Sequence, residues 1–418
     1  MFLVFFLALL LRLSLAFSAY HGDLNNNISW ASLAVERGLS GFYENPPAGG
    51  WPYSAPNQPP LTILMFAGAR VIWQGIENAS WWLNNNFEFF YSPFIWFWES
   101  QGMTLLVKLP GILADLGIGW LIYKYFSEKK KKLALPLAAT WLFNPISWYN
   151  SSIWGQTDSL VNFLGLAAIF SLLSKNMTWF MVLFSLSLLF KGSLAIFVPV
   201  LFVVAILQRH SLWQWAKSAA ASFATIVLVS IWFHPSANLV AWLINLYKDR
   251  ILPGEIGYLT ANAFNLWWLV DPGRTLDSTA FLGLPARAWG FAITFAGIGG
   301  IILWLSRRKR QGILEKRVLL ALALVGLFTF LFMTRIHERY LYPFFPSATI
   351  LLGLIPGMII PYVILSITHL LNLYHLFWAP PLAPLEALYQ FPAFAQTISV
   401  INILVFFYLL RLLRPGKI

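Results

Sequence analysis

Residues 103–132 read MTLLVKLPGILADLGIGWLIYKYFSEKKKK, an apolar run interrupted late by Lys124 and closed by Lys129, Lys130, Lys131 and Lys132. A run of this length reaches across a bilayer, and loops on the cytoplasmic side carry the excess of Lys and Arg. The segment is therefore expected to be a helix running from outside to inside.

Working outward from it, further apolar spans are expected near 133–149, 157–174, 177–190, 192–208, 217–234, 286–306, 314–333, 341–356, 358–376 and 397–413. Alternating sides from the Lys129 cluster puts Lys175, Arg209, Lys217, Arg307, Arg308, Lys309, Arg310, Lys316, Arg317, Arg411, Arg414 and Lys417 in the cytoplasm. With the five basic residues at 124 and 129–132 that makes 17 of the 28 in the chain, and no positive cluster falls on the other face.

Composition agrees. Of 418 residues, 59% are apolar and 11% charged, whereas a soluble domain carries about 25% charged residues. A water-soluble fold is excluded, and at about 20 residues per span the chain holds on the order of twelve transmembrane helices in one domain, 1–418. The net charge of +12 sits in short loop clusters, which argues against nucleic-acid binding. With no cysteine, disulfides and thiolate chemistry are excluded.

The first run, Met1–Ala19, resembles a signal peptide in its small residues at Ser18 and Ala19. Without a basic start, and with Arg12 inside the apolar stretch, it reads better as a retained helix. Residues 20–102 then form one long external loop, in which Leu61–Ile76 is expected to lie interfacially or to re-enter. Residues 235–285 form a second large external loop. Trp51, Trp81, Trp82, Trp148, Trp154, Trp267 and Trp268 crowd the borders as an interfacial belt would.

Few polar residues fall on the external side. Asp23, in His21-Gly22-Asp23, has ordinary turn and cap chemistry, but a carboxylate beside a dry membrane-level cavity is also a general base toward a hydroxyl. Thr334–Tyr340 holds Arg335, His337, Glu338 and Arg339, a set suited to an anionic head group. The alternative is snorkelling with an Arg–Glu pair. Lys191 marks a helix turn and, as an external cation, is a second candidate phosphate ligand. Asp115 lies within a span with Lys108 as its nearest cation, so a structural ion pair weighs against a functional role. Gln58, Trp154, Gln156 and Asp158 stand in Trp-bordered polar runs of the kind that hold a sugar ring. Neither nucleotide-loop motifs nor metal-ligand spacings occur.

The order of these motifs is Gly22-Asp23, Trp30, Gly38, Tyr43, Pro59-Pro60-Leu61-Thr62, Asp115, Asn144-Pro145, Gly155-Gln156-Thr157-Asp158, Phe190-Lys191, Asn262–Trp268 and His337-Glu338-Arg339-Tyr340. Over nearly the whole chain this order resembles the GT-C superfamily of membrane glycosyltransferases. The nearest likeness is to dolichyl-phosphate-glucose glucosyltransferases and polyprenyl-phosphate-mannose mannosyltransferases. The resemblance implies an all-α polytopic fold with interfacial helices in the first external loop and Asp23 as catalytic base. It also implies His337 and Arg339, with Arg335 and Lys191, at the donor phosphate, Asn265 at the substrate, and Glu338 and Asp115 in support. Gln58 stands where the family has an aromatic residue. A polyprenyl-phosphate sugar as donor, a lipid-linked or envelope glycan as acceptor, and no cofactor or metal are further implications. The implied setting is the non-cytoplasmic face of a plasma membrane, or of the endoplasmic reticulum in a eukaryote. The competing class is a transporter or flippase of a lipid-linked sugar, against which stands the absence of a visible internal repeat.

Overall fold

In a computed structural model the chain is described over residues 1–252, 256–307 and 311–414. Arg308, Lys309, Arg310 and Lys417, assigned above to the cytoplasmic side, lie outside the described residues. The protein is a helical membrane protein. Among the described residues four helices are long and apolar enough to cross a bilayer: Pro93–Lys129, Ala286–Ser306, Pro356–Leu376 and Pro392–Leu413.

In chain order the helices that position the site are α1 (Phe2–Ala16), α2 (Asp23–Arg37), α3 (Pro60–Asn86), α4 (Met103–Lys129), α5 (Lys131–Leu142), α6 (Asp158–Leu173), α7 (Met177–Phe190), α8 (Val198–Leu207), α9 (Leu212–Ser230), α10 (Ala286–Ser306), α11 (Gln311–Phe332), α12 (Phe344–Leu352), α13 (Ile359–Leu376) and α14 (Pro392–Leu410). Most lie within a few residues of an expected apolar span, because each span ends where Pro, Gly, Asn or a charge interrupts it. α3 differs. It runs ten residues past the apolar stretch expected there, from Glu77 through Trp81, Trp82 and Leu83 to Asn86, and this extension contains no Pro or Gly to stop it. The second large loop is also not wholly irregular or helical: Ala280–Phe281 pairs antiparallel with Leu284–Pro285 in a short hairpin.

α11 is the central helix, with Val318 through Val325 buried, so it is apolar all round rather than amphipathic. Small residues on α4 let its neighbours close in. A Cβ on Gly117 would meet the Phe163 ring of α6 at 2.6 Å, and one on Gly119 would meet Leu142 of α5 at 2.7 Å. The first loop builds a second cluster, in which Leu24, Trp30 and Ala34 of α2 pack with Ile63 and Phe66 of α3, Tyr43, Val107 and Phe233.

Helix direction sorts the polar residues into two sets. α6 starts at Asp158 and ends beside Lys175, α7 returns to Lys191, α8 descends to Arg209, and α11 runs from the Glu315 end toward His337. Asp23, Gln156, Asp158, Lys191 and Arg339 thus gather at one end of shared helices. Lys124, Lys129, Lys175, Arg209 and Glu315 line a cleft at the other.

Asp115 is not paired with Lys108. Its Oδ2 takes the Arg12 Nε at 3.1 Å and the Ser151 hydroxyl at 2.6 Å, and its Oδ1 takes the Tyr342 hydroxyl at 2.9 Å. Lys108 points toward the other end of α4 instead. Its Nζ donates to the carbonyls of Ala16, Ala19 and Ile153 at 2.7, 2.9 and 3.0 Å, capping the last turn of α1. Seven residues separate Lys108 from Asp115 along α4, about 10 Å at 1.5 Å per residue, too far for a direct pair.

Candidate active site

Asp23 is the first residue of α2, and its backbone N–H donates to His21 Nδ1 at 3.0 Å. That bond requires an unprotonated Nδ1, so His21 is neutral with its proton on Nε2. Burial, the largest effect, lowers the His21 pKa and Arg339 lowers it further, against the pull of Asp23. A carboxylate in the first turn also suits the helix dipole, which is the structural part of Asp23's role.

The Asp23 carboxylate is aimed by a second segment. A π-helical turn, Tyr149–Trp154, ends in Gly155 at φ +84°, and the N–H groups of Gly155 and Gln156 both donate to the Asn150 carbonyl. A Cβ at Gly155 would meet Leu24 Cδ2 at 2.9 Å and Lys108 Cγ at 3.0 Å, so only glycine fits between α2 and α4 here. The turn delivers Gln156 Nε2 to Asp23 Oδ2 at 2.6 Å and Trp154 Nε1 to the same oxygen at 3.3 Å. Oδ1 has no partner among the described residues, and the side chain is 42% exposed.

Arg339 lies next to this carboxylate, its guanidinium 5.9 Å from the centre of the Trp154 ring. It donates to the fully buried Glu338 at 2.8 Å. Burial works against the Arg339 charge, but Glu338, Tyr340, Asp158 and Asp23 outweigh it and raise its pKa. Lys191 Nζ donates to Asp158 Oδ1 at 2.8 Å and lies 5.5 Å from the Tyr340 ring centre. Burial lowers the Lys191 pKa, and Asp158 opposes that. Glu338 is shifted the other way by burial, with Arg339 opposing. Three polar atoms here have no partner among the described residues: Arg339 Nε, Asp158 Oδ2 and Glu338 Oε2. Each cation is thus paired with a carboxylate, and Arg339 and both carboxylates keep one atom without a partner among the described residues.

His337 stands beside them on backbone pinned by Ala261 and Asn262. Burial, then Arg339 and Lys191, press its pKa well below the ordinary value, so it is a neutral imidazole and its 3.9 Å approach to Glu338 is no ion pair. The unfolded chain takes up a proton at this histidine near pH 6.5 and the folded one does not. Stability is therefore full above pH 6.5 and falls on acidification, by at most about 1.4 kcal/mol per pH unit for this group. Thermal unfolding at pH 7.5 and 5.5 should show His337→Gln losing less stability than the native chain. Equal losses would assign the acid sensitivity to other groups.

The remaining sequence candidates take other positions. Arg335 is not grouped with Arg339: it closes a fork on Asp277, Nε to Oδ2 at 2.7 Å and Nη2 to Oδ1 at 3.0 Å, which ties the second loop to the end of α11. Asn265 is a helix cap rather than a sugar ligand, its Oδ1 accepting from the Trp267 and Trp268 N–H groups and its amide donating to Phe330. Trp154 is fully buried with its indole N–H spent on Asp23, so it positions the carboxylate rather than offering a face to a sugar. Trp267 is likewise buried and bonded to the Phe332 carbonyl, while Trp81 and Trp82 are exposed. Asp158 is the counter-ion of Lys191. Gln58 lends its carbonyl to the Tyr43 hydroxyl at 2.7 Å, and its buried Oε1 has no partner among the described residues.

Two members of the site were not singled out from sequence. His21 packs 4.9 Å from the Trp154 ring centre, and Tyr340 lies under both Lys191 and Arg339. In sequence His21 stands two residues before Asp23 and Tyr340 directly follows Arg339, and that placement is the signal they carry. Among the described residues no group of three or more His, Asp or Glu side chains is arranged to hold a metal ion.

No family model matches the chain, and no curated protein matches it.

Proposed function

We propose that the protein is an inverting membrane glycosyltransferase that moves a hexose, glucose or mannose, from a polyprenyl-phosphate carrier to a hydroxyl of a lipid-linked or envelope glycan. The observation that carries this reading is the meeting, from four separated stretches, of one half-open carboxylate with two buried cations and a neutral imidazole. Asp23 Oδ1 takes the proton of the acceptor hydroxyl, whose oxygen forms a bond to the anomeric carbon as the bond from that carbon to the phosphate oxygen breaks. Polyprenyl phosphate leaves with the bonding electrons, and Arg339, Lys191 and the His337 N–H stabilise its charge. To receive it, Arg339 and Lys191 shift part of their hydrogen bonding from Glu338 and Asp158 to the phosphate.

The same reading assigns twelve membrane spans in a GT-C-like arrangement, with the site on the non-cytoplasmic face and the Lys129 cluster in the cytoplasm. That face belongs to the plasma membrane in a prokaryote or the endoplasmic reticulum in a eukaryote.

The test incubates purified protein in lipid with labelled polyprenyl-phosphate glucose, mannose and other hexose or pentose donors plus a crude membrane lipid extract as acceptor, and measures release of polyprenyl phosphate. Release from one donor supports the enzyme and identifies the sugar. No release from any donor overturns it and favours movement of a lipid-linked sugar without bond cleavage.

A further inference from the structure

At the end of the helices remote from Asp23 lies a cleft of about 1090 Å³ between α4, α6, α7, α8 and the start of α11. Gly155, beside Asp23, is in contact reach of Lys108. Lys129, at the cleft, is 21 residues further along α4, roughly 30 Å at 1.5 Å per residue, which is the thickness of a bilayer's hydrocarbon core. The cleft is therefore a separate site.

Its lining combines two chemistries. Leu121, Phe170, Leu183, Ile206, Leu207 and Leu314 form the apolar side, with Ile206 and Leu207 52% and 40% exposed. Lys124, Lys129, Lys175 and Arg209 line it against Glu128 and Glu315, and the Lys129–Glu315 ion pair cancels one of each. What remains is an excess of cation about one hydrocarbon-core thickness along α4 from Lys108.

The backbone supplies an independent observation. Lys175 and Arg209 have φ of +60° and +55°, a region that costs a non-glycine residue roughly 1 kcal/mol or more and that helix ends ordinarily fill with Gly or Asn. The two turns are pinned side by side, since the Leu172 carbonyl accepts both the Lys175 N–H at 2.8 Å and the Gln208 side-chain amide at 2.7 Å. Long cationic side chains thus stand, at a backbone cost, at the two corners of one cleft. Part of their role is to complement the helix C-termini, but that role needs neither corner to be adjacent nor the cleft to exist.

We infer that this cleft binds the phosphate head of an anionic membrane phospholipid, with Lys175 and Arg209 on the phosphate and the acyl chains along Ile206 and Leu207. A free phosphate would find the same cations, but only a lipid uses the apolar wall.

The full-length protein in zwitterionic micelles is titrated with dioleoylphosphatidylglycerol, dioleoylphosphatidylcholine or inorganic phosphate while its melting temperature is followed. Phosphatidylglycerol is expected to raise it saturably, phosphatidylcholine and inorganic phosphate much less. In Lys175→Asn/Arg209→Asn the midpoint of the phosphatidylglycerol response should weaken on the order of tenfold or more. Asparagine tolerates the left-handed backbone, so the turns are kept while the charges go. Equal stabilisation by the two phospholipids in the native protein would overturn the inference whether or not the variant folds. So would an undiminished response in a folded variant, or inorganic phosphate matching phosphatidylglycerol. The readout is lipid binding and stands apart from sugar transfer.

Discussion

Asp23→Asn should lower sugar transfer by about 10²- to 10⁴-fold, the usual worth of a positioned general base, while donor binding and thermal stability stay near native. The asparagine carbonyl oxygen can still accept from Gln156 Nε2 and Trp154 Nε1, so the side chain keeps the geometry that holds the carboxylate. What it loses is a basic oxygen where Oδ1 stands open. The helix-dipole part of Asp23's role costs only a few tenths of a kcal/mol at an exposed first-turn position. Release of polyprenyl phosphate from the preferred donor, measured beside equilibrium binding of that donor, separates the two effects. Near-native turnover by the variant would remove Asp23 from the chemistry. Loss of binding and turnover in parallel would make it a substrate-holding residue instead.

Much of the helical framework is legible in residue order, because apolar length and the placement of Lys and Arg depend on the bilayer rather than on distant contacts. Ala286–Ser306 coincides with its expected span for this reason. Partner choice is another matter. Lys108 and Asp115 are near in sequence, yet each found its partners across space: Asp115 on Arg12, 103 residues away, and Lys108 on three backbone carbonyls. Local spacing argues against a direct pair but does not say which partners replace it, since both depend on how α1 lies against α4.

The same holds at the candidate site. From sequence, Gln156, Trp154 and Asp158 read as polar or aromatic groups for a sugar. Burial, however, turns two of them toward Asp23 and the third toward Lys191. Asn265, a substrate residue by the family resemblance, and Arg335, a cation of the charged Thr334–Tyr340 segment, both carry strong hydrogen-bonding groups, and the loop itself consumes those groups, in a helix cap and in the Asp277 fork. A long loop tied to a helix bundle needs such anchors, and from sequence they resemble ligands.

Breaking the Arg12–Asp115 pair should strongly destabilise the protein. Neither side chain is exposed, and the pair fastens α1 to α4. Arg12→Met leaves a buried carboxylate with only the Tyr342 and Ser151 hydroxyls, and Asp115→Leu leaves a buried guanidinium with Ser147 at 2.9 Å and the Ala8 carbonyl at 3.1 Å. Each single change should cost about 3–5 kcal/mol, the penalty for an uncompensated buried charge. Arg12→Met/Asp115→Leu removes both charges at once. The hydroxyls it abandons keep other partners, Ser151 on the Ser147 carbonyl at 3.1 Å and Tyr342 on Ser159 at 2.8 Å. The double variant should therefore be more stable than either single one, with a coupling of several kcal/mol in a double-mutant cycle. Denaturant or thermal unfolding in detergent, followed by tryptophan fluorescence, measures all four corners. Costs that simply add would mean the two charges are separately solvated, and the attachment of α1 would then rest on its apolar packing and on the Lys108 cap of its last turn.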